Sequence, residues 1–262
     1  VREDASFAST LANGLAVLEA FDVSSPLLGN SELAARTGLS RPTVARLSGT
    51  LARLGYLKYD PSVSKYTLWT GALRAAYPLL ARQSIRQEAR SGMQALADDL
   101  KAAVTLLVMD GTVGVIVEAS RGAEIEEHYP EIGLSAPLIQ IAVGRAMLTL
   151  LADTERERLL SDIAGKTPDL WQRFETTTRA SIQACMDHGF CVSRGDLRSH
   201  VHSVGVPLMR AADGSCFGLS CGIAAFRLRP GQLEEEIGPR LLSLARSIRA
   251  TPPRLQHTPQ MR

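Results

Sequence analysis

Ser40, Arg41, Pro42, Thr43 and Arg46 fall within one short stretch, SRPTVAR. These residue types suit a polyanion. Arginine offers a planar fork of donors to a phosphate or to the edge of a guanine, and short hydroxyls donate to phosphate oxygens. The plainer alternative is a solvated helix face on which each arginine snorkels or pairs with a carboxylate. Lys58 and Lys65, a little further on, extend the same basic character or are ordinary surface charges.

A second group lies far downstream. His188, His200 and His202 stand near Cys191 and Ser203, which invites a nucleophile and base. With Cys185, Cys216 and Cys221 the same histidines invite a metal site, but their spacing matches no zinc pattern. There is no GxSxG elbow, no GxxxxGK[ST] loop and no HExxH pair. Catalysis and metal binding are therefore not expected, and no cofactor is implied. The cysteines read as reduced, partly buried thiols. Glu124, Glu126 and Glu127 read as a solvated edge, and Glu234, Glu235 and Glu236 as dipole partners in the first turns of a helix.

The elements that must position the first group are readable. Asn30 to Arg53 holds two short helix patterns around Thr37-Gly38-Leu39-Ser40. Asn30 or Ser31 is expected to cap the first and Ser40 the second, because a short side-chain oxygen accepts an orphan N–H of the first turn. Pro42 suits a first helical turn and Gly38 the tight turn between. Leu33, Ala34, Leu39, Val44, Leu47 and Leu51 form one apolar seam, leaving Ser40, Arg41, Thr43 and Arg46 outward. That is a helix-turn-helix. Two strand candidates, Tyr56 to Tyr59 and Tyr66 to Trp69, flank a polar turn. They make it a winged helix whose tip, with Ser62, Ser64 and Lys65, reaches DNA. From Ser40 to Tyr66 five basic residues (Arg41, Arg46, Arg53, Lys58, Lys65) face one acid, Asp60, although the whole chain is only +2. A local basic face on a near-neutral chain excludes a nonspecific nucleic-acid coater.

The remaining chain uses a different grammar. Its 262 residues allow two domains of roughly 100–200 residues. Ser9 to Phe21 is an amphipathic helix pattern. Gly71 to Leu100 is helical, and Pro78 is expected to kink or break it by removing a hydrogen bond. Two β-rich runs surround Asp110-Gly111, a hairpin signal, and Glu124 to Tyr129 is a further strand candidate. Helix patterns follow at Gln140 to Leu151, Asp153 to Leu160 and Trp171 to Met186. Strands follow at Phe190 to Ser193, Ser203 to Met209 and Phe217 to Ile223, then a last helix after Pro230. The expected architecture is α+β: a winged helix-turn-helix over 1–70, a linker helix over 71–83, an antiparallel sheet domain with helices over 84–250, and a loose tail over 251–262. No run of about 18 apolar residues and no secretory signal pattern occurs, so a cytoplasmic protein with no membrane partner is expected.

Three pieces, SELAARTGLSRPTVARLSGTLARLGYL, APLIQIAVGRAMLTLL and GFCVSRGDLRSHVHSVGVPL with FGLSCGI downstream, resemble the IclR family of bacterial transcriptional regulators. The resemblance spans roughly Phe7 to Ala250. It implies a GAF-like C-terminal domain that binds a small effector, a homodimer or homotetramer, and a pseudo-palindromic double-stranded operator. It places the effector between Ala136, the helix start at Ala142 and Val143, and the sheet residues Ser193, Val201, Ser203, Ser220 and Gly222. Backbone donors at a helix start suit a carboxylate. The sequence departs from the family at Ser193, where an acid often occurs, and at Gly222, where a second serine is found. Two other readings remain for this domain: a small-molecule-processing enzyme with an appended DNA module, and an interaction domain with no ligand.

Overall fold

The structure, a computed structural model, describes residues 7–123 and 130–250. The strand expected at Glu124 to Tyr129 and the tail from Thr251 lie outside the described residues. The chain divides into two compact units, one through Arg82 and one from Gln83.

Unit 1 begins with α1 (Ser9–Glu19), α2 (Asn30–Thr37) and α3 (Arg41–Arg53). Val17, Leu28, Leu33, Val44, Leu47 and Leu57 form its buried core. Gly38 closes α2 at φ 69°, a left-handed conformation that glycine adopts at no steric cost. Ser40 caps α3, and its hydroxyl lies 2.8 Å from that of Thr43. The start of α2 departs from expectation. Neither Asn30 nor Ser31 caps it. The cap is Gly29, whose N–H donates to Glu32 Oε2 at 2.7 Å. A carboxylate at the third helical position reaches back to the N–H of the capping residue, the reciprocal half of a capping box. Asn30 Oδ1 is used elsewhere, accepting from Ser48 Oγ on α3 at 3.0 Å.

Strands β1 (Leu57–Asp60) and β2 (Lys65–Leu68) then pair antiparallel, with Asp60 opposite Lys65. Leu28 and Tyr66 exchange two backbone hydrogen bonds, which ties the loop before α2 to the hairpin. Helix α4 (Thr70–Arg82) contains Pro78 without breaking. Of the kink or break expected there, the break does not occur: Pro78 and its neighbours are exposed, where the carbonyl that the ring deprives of a partner is open to solvent. The interruption comes instead at Gln83, in extended backbone before α5 (Ser84–Leu100).

Unit 2 is built on a six-stranded antiparallel sheet. Its strands are β3 (Ala103–Asp110), β4 (Val113–Arg121), β5 (Ser135–Pro137), β6 (Cys191–Arg194), β7 (Val201–Arg210) and β8 (Cys216–Ala224), in the order β5-β4-β3-β8-β7-β6. Gly111, at φ 54°, opens the turn between β3 and β4. Between β5 and β6 come α6 (Ala142–Leu148), α7 (Asp153–Lys166) and α8 (Pro168–His188). A short π-helix at Leu233–Ile237 leads into α9 (Gly238–Ala250).

The sheet is covered on both faces. Helices α5 and α9 pack on one, against residues such as Val104, Leu106, Val204, Val206 and Leu219. Helix α6 lies on the other, where Leu107, Ile116, Val143, Met147 and Phe174 share a buried cluster. Glu234, Glu235 and Glu236 stand in a first helical turn, as expected, and Glu236 also pairs with Arg229 at 2.7 Å and Glu234 with Arg194. Glu118 is buried under α5, where Arg86 and Arg90 each reach it at 3.1 Å. Among the described residues, no helix is long and apolar enough to cross a membrane.

Candidate functional site

On unit 1, helix α3 turns Val44, Leu47 and Ser48 inward and leaves Ser40, Arg41, Pro42 and Arg46 exposed, with Thr43 half-buried. Among the described residues neither Arg41 nor Arg46 makes an ion pair. The face therefore presents two arginines and two hydroxyls outward from a helix fixed by its cap and its apolar seam.

The wing is less open than the sequence implied. Lys65 Nζ is paired with Glu32 Oε1 at 2.8 Å. Lys58 Nζ lies 4.5 Å from the centre of the Trp69 ring. Ser62 gives both its N–H and its hydroxyl to Asp60 Oδ1, at 2.9 and 2.6 Å. Each of these groups has a protein partner that DNA would have to replace. The Gly29 N–H, and then the Lys65 ammonium, hold the Glu32 carboxyl below its ordinary value of 4.5.

On unit 2, strand register assembles most of the expected effector residues. Ser193, Ser203, Gly222 and Ala103 form one row across β6, β7, β8 and β3. Cys191, Gly205, Ser220, Thr105 and Ala119 form the next. Residues paired across strands share a face, so both rows look toward α6. The helix start at Ala142 and Val143 rests on the second row: a Cβ on Gly205 would stand 2.1 Å from the Val143 nitrogen. Gly218, two residues before Ser220 on the same face, would place a Cβ 2.6 Å from Val143 Cγ2. Beyond this sealed half the face opens. Val201, Ser203, Ser220 and Gly222 are half-buried, and a Cβ on Gly222 would meet only Val201 Cγ1, at 3.6 Å.

Ala136 is not part of this group. On β5 it pairs with Gly114 of β4, and four strands separate it from Ser193 on β6. Adjacency to the helix in sequence does not bring it to the serine rows.

The histidine reading separates in the same way. His188 is exposed at the end of α8, and His200 sits in a turn before β7. His202 alternates with Val201 and Ser203 and so points to the other face. The Cys191 thiol donates to the Ser181 carbonyl at 3.2 Å, beneath α6, and the Cys185 sulfur beside it together with burial pushes it above the ordinary thiol value. Cys221 lies on the α5 and α9 face, opposite Val204, where burial pushes it up to about 12. Among the described residues no group of three His, Cys, Asp or Glu stands close enough to hold a metal ion.

Three residues in or beside these rows, Thr105, Arg145 and Asp196, escaped the sequence reading. Thr105 is buried in the row of Ser220. Arg145 is fully buried; its Nε donates to the Ile139 carbonyl at 2.9 Å, one Nη to Ser181 Oγ at 3.2 Å, and the other Nη is ion-paired with Asp196 Oδ2. Ser193 Oγ donates to that same Asp196 oxygen at 2.9 Å. Arg145 had one visible signal: it is the single charge in the helix AVGRAML.

The chain matches two family models: the IclR helix-turn-helix domain over residues 10–61, and the bacterial transcriptional regulator IclR C-terminal domain over residues 78–250. It is similar to the crystal structure of an IclR family transcriptional regulator from Brucella abortus, at 37% identity and a TM-score of 0.83, covering 96% of this chain and 95% of that one. It is also similar to the HTH-type transcriptional regulator TsaQ1/TsaQ2 of Comamonas testosteroni, 26% identical over 92% of this chain and 87% of that protein. A crystal structure of a homologue from Microbacterium hydrocarbonoxydans, complexed with 4-hydroxybenzoate, shares the fold at 19% identity and a TM-score of 0.70, over 91% and 97% of the two chains.

Proposed function

From a chain that belongs to the IclR family of bacterial transcriptional regulators, we infer a one-component sensor: unit 1 binds an operator, and a small molecule held by unit 2 changes that binding. The observation that carries this reading is the outward pair Arg41 and Arg46, without ion-pair partners among the described residues, on a helix whose other side is core. The operator is a pseudo-palindrome read by two copies, because half-sites discriminate when their spacing is fixed.

Exposed apolar side chains on unit 1 favour a homo-oligomer. Leu11 and Leu15 on α1 are 64% and 50% exposed, and Leu73 and Tyr77 on α4 are 65% and 64% exposed. Each pair is spaced i,i+4, so each helix offers a stripe for a second copy to cover. The effector is a small organic acid, aromatic or aliphatic, held by Ser193, Val201, Ser203, Ser220 and Gly222 with the start of α6. The 4-hydroxybenzoate complex of the Microbacterium homologue supports an aromatic ligand. Linkage then does the regulation: the ligand favours one arrangement of the subunits, and that arrangement fits or misfits the operator. Such a protein acts in the cytoplasm and turns over no substrate.

Footprinting on DNA flanking the protein's own locus tests this, repeated with a panel of aromatic and aliphatic acids. Protection of paired half-sites that shifts with one acid is expected. Protection that no small molecule alters would refute the sensor.

A further inference from the structure

Helix α8 and strand β6 meet at a tight corner that sets two cysteines side by side. Gly189 ends α8 in the left-handed conformation, at φ 86°, and its N–H donates to the Cys185 carbonyl at 2.8 Å. The chain turns back at once. Cys191, the first residue of β6, therefore lies against Cys185 in the last turn of the helix. Both side chains are buried in one cluster with Ala142 and Ala146 of α6. The other two cysteines stand elsewhere, Cys216 in the larger cluster of the same unit and Cys221 on the opposite face of the sheet.

The pair is chemically asymmetric. The neighbouring Cys191 thiol pulls Cys185 below its ordinary value, while Cys185 and burial push Cys191 above its own. Burial alone would raise both, as it raises Cys221. Arg145, fully buried on α6, adds positive charge at Cys191. A thiol that ionises first, a second that keeps its proton and a cation close by are what a nucleophilic and a resolving cysteine need. A bridge between them closes only a short loop, which constrains little of the unfolded chain, so it serves as a signal rather than a staple.

We propose that Cys185 and Cys191 form a redox site for a small hydroperoxide, closed as a reversible disulfide at the β6 edge of the sheet. The Cys185 thiolate attacks one peroxide oxygen and the O–O bond breaks. The departing hydroxide takes up the proton that Cys185 released, giving water and a Cys185 sulfenic acid. The Cys191 sulfur then attacks the Cys185 sulfur, the S–O bond breaks, and hydroxide leaves with the Cys191 proton as a second water. The two thiols lose two electrons and the peroxide gains them. Cys185 is 4% and Cys191 1% exposed, which favours an oxidant near the size of water over a bulky disulfide.

The bridge reaches beyond the two sulfurs. Cys191 loses the proton it gives to the Ser181 carbonyl. Ser181 Oγ accepts from Arg145, Arg145 is paired with Asp196, and Asp196 accepts from Ser193, two residues along β6 from Cys191. Oxidation therefore opens one link in a ring of contacts that fixes Ser193.

The test uses the full chain, reduced, treated with a small molar excess of hydrogen peroxide, trapped with N-ethylmaleimide in denaturant and mapped by non-reducing peptide mass spectrometry. A Cys185–Cys191 linkage with the mass of two hydrogens lost is expected, with Cys216 and Cys221 still alkylated and the whole change reversed by dithiothreitol. The bridge should form roughly tenfold or more faster in the native protein than in urea, where the asymmetry of the pair is gone. In Cys191→Ser, Cys185 should stop at the sulfenic acid and be captured by dimedone; if this variant does not fold, the wild-type linkage and its rate decide. Four intact thiols after peroxide, a linkage through Cys216 or Cys221, or equal rates in native buffer and urea overturn the proposal. A bridge formed as fast by glutathione disulfide as by hydrogen peroxide overturns the choice of a small hydroperoxide.

Discussion

Gly205 on β7 lies directly under the backbone nitrogen of Val143, so close that a Cβ would stand 2.1 Å away. The obstacle is backbone, with no rotamer to swing aside. Gly205→Ala should therefore lift α6 from the sheet and destabilise the C-terminal unit by about 3 kcal/mol, the upper range for overpacking. Urea denaturation followed by a probe in that unit would measure it; a loss below about 0.5 kcal/mol, typical of a neutral surface change, would show that the helix seat is soft.

Arg145 and Asp196 form the second fixed relationship. Arg145→Ala leaves Asp196 without its cation and Ser181 without a donor. Breaking a buried pair costs roughly 3–5 kcal/mol. Asp196 keeps 22% side-chain exposure, so water relieves part of that and the lower end is expected. Arg145→Met with Asp196→Leu should cost less than the sum of the single changes, and strict additivity would mean that the two side chains do not act together.

At the DNA face, Arg46→Ala should weaken operator binding by about 1–3 kcal/mol while nonspecific binding falls less. The comparison needs matched salt, because phosphate contacts carry most of the ionic-strength dependence. Equal losses on operator and random DNA would assign Arg46 to the phosphate backbone and leave base readout to its neighbours.

Glu32 gives the winged unit an acid-sensitive joint. Its carboxyl is held below the ordinary 4.5 by the Gly29 N–H and the Lys65 ammonium. A depressed folded value means that the stabilisation is complete above 4.5 and is lost as the pH falls through the folded value. Wild-type melting temperature should therefore drop more steeply below 4.5 than that of Glu32→Gln. Parallel curves for the two proteins would show that the cap and wing contacts form equally well without the charge.

Local features were legible in the sequence; distant partnerships were not. Gly38, Ser40 and the seam through Leu33 and Val44 act within a few residues of themselves, so their types and spacing located the helix-turn-helix. Ser203 and Ser220 were reached only through the family resemblance, and strand register is what puts them on one face. By contrast Glu32 reaches Lys65 across 33 positions, and Arg145 meets Asp196 across 51. Whether Pro78 breaks its helix depends on whether solvent reaches the freed carbonyl, which composition does not tell. Ala136 misled because sheet order, rather than distance along the chain, sets what is near Ser193.

The face beneath α6 divides into a part that cannot vary and a part that can. Gly205 and Gly218 are the floor of the helix, and any side chain there moves backbone or core. Gly222, one row beyond Ser220, meets only a valine methyl at ordinary contact distance. On the effector-site reading proposed above, single substitutions at Gly222 and its half-buried row-mate Ser203 would change ligand preference with little disturbance to the scaffold, whereas buried Ser193 is tied through Asp196 to Arg145. A lineage carrying this fold could then vary its ligand at those two positions while the seat of α6 keeps every intermediate folded.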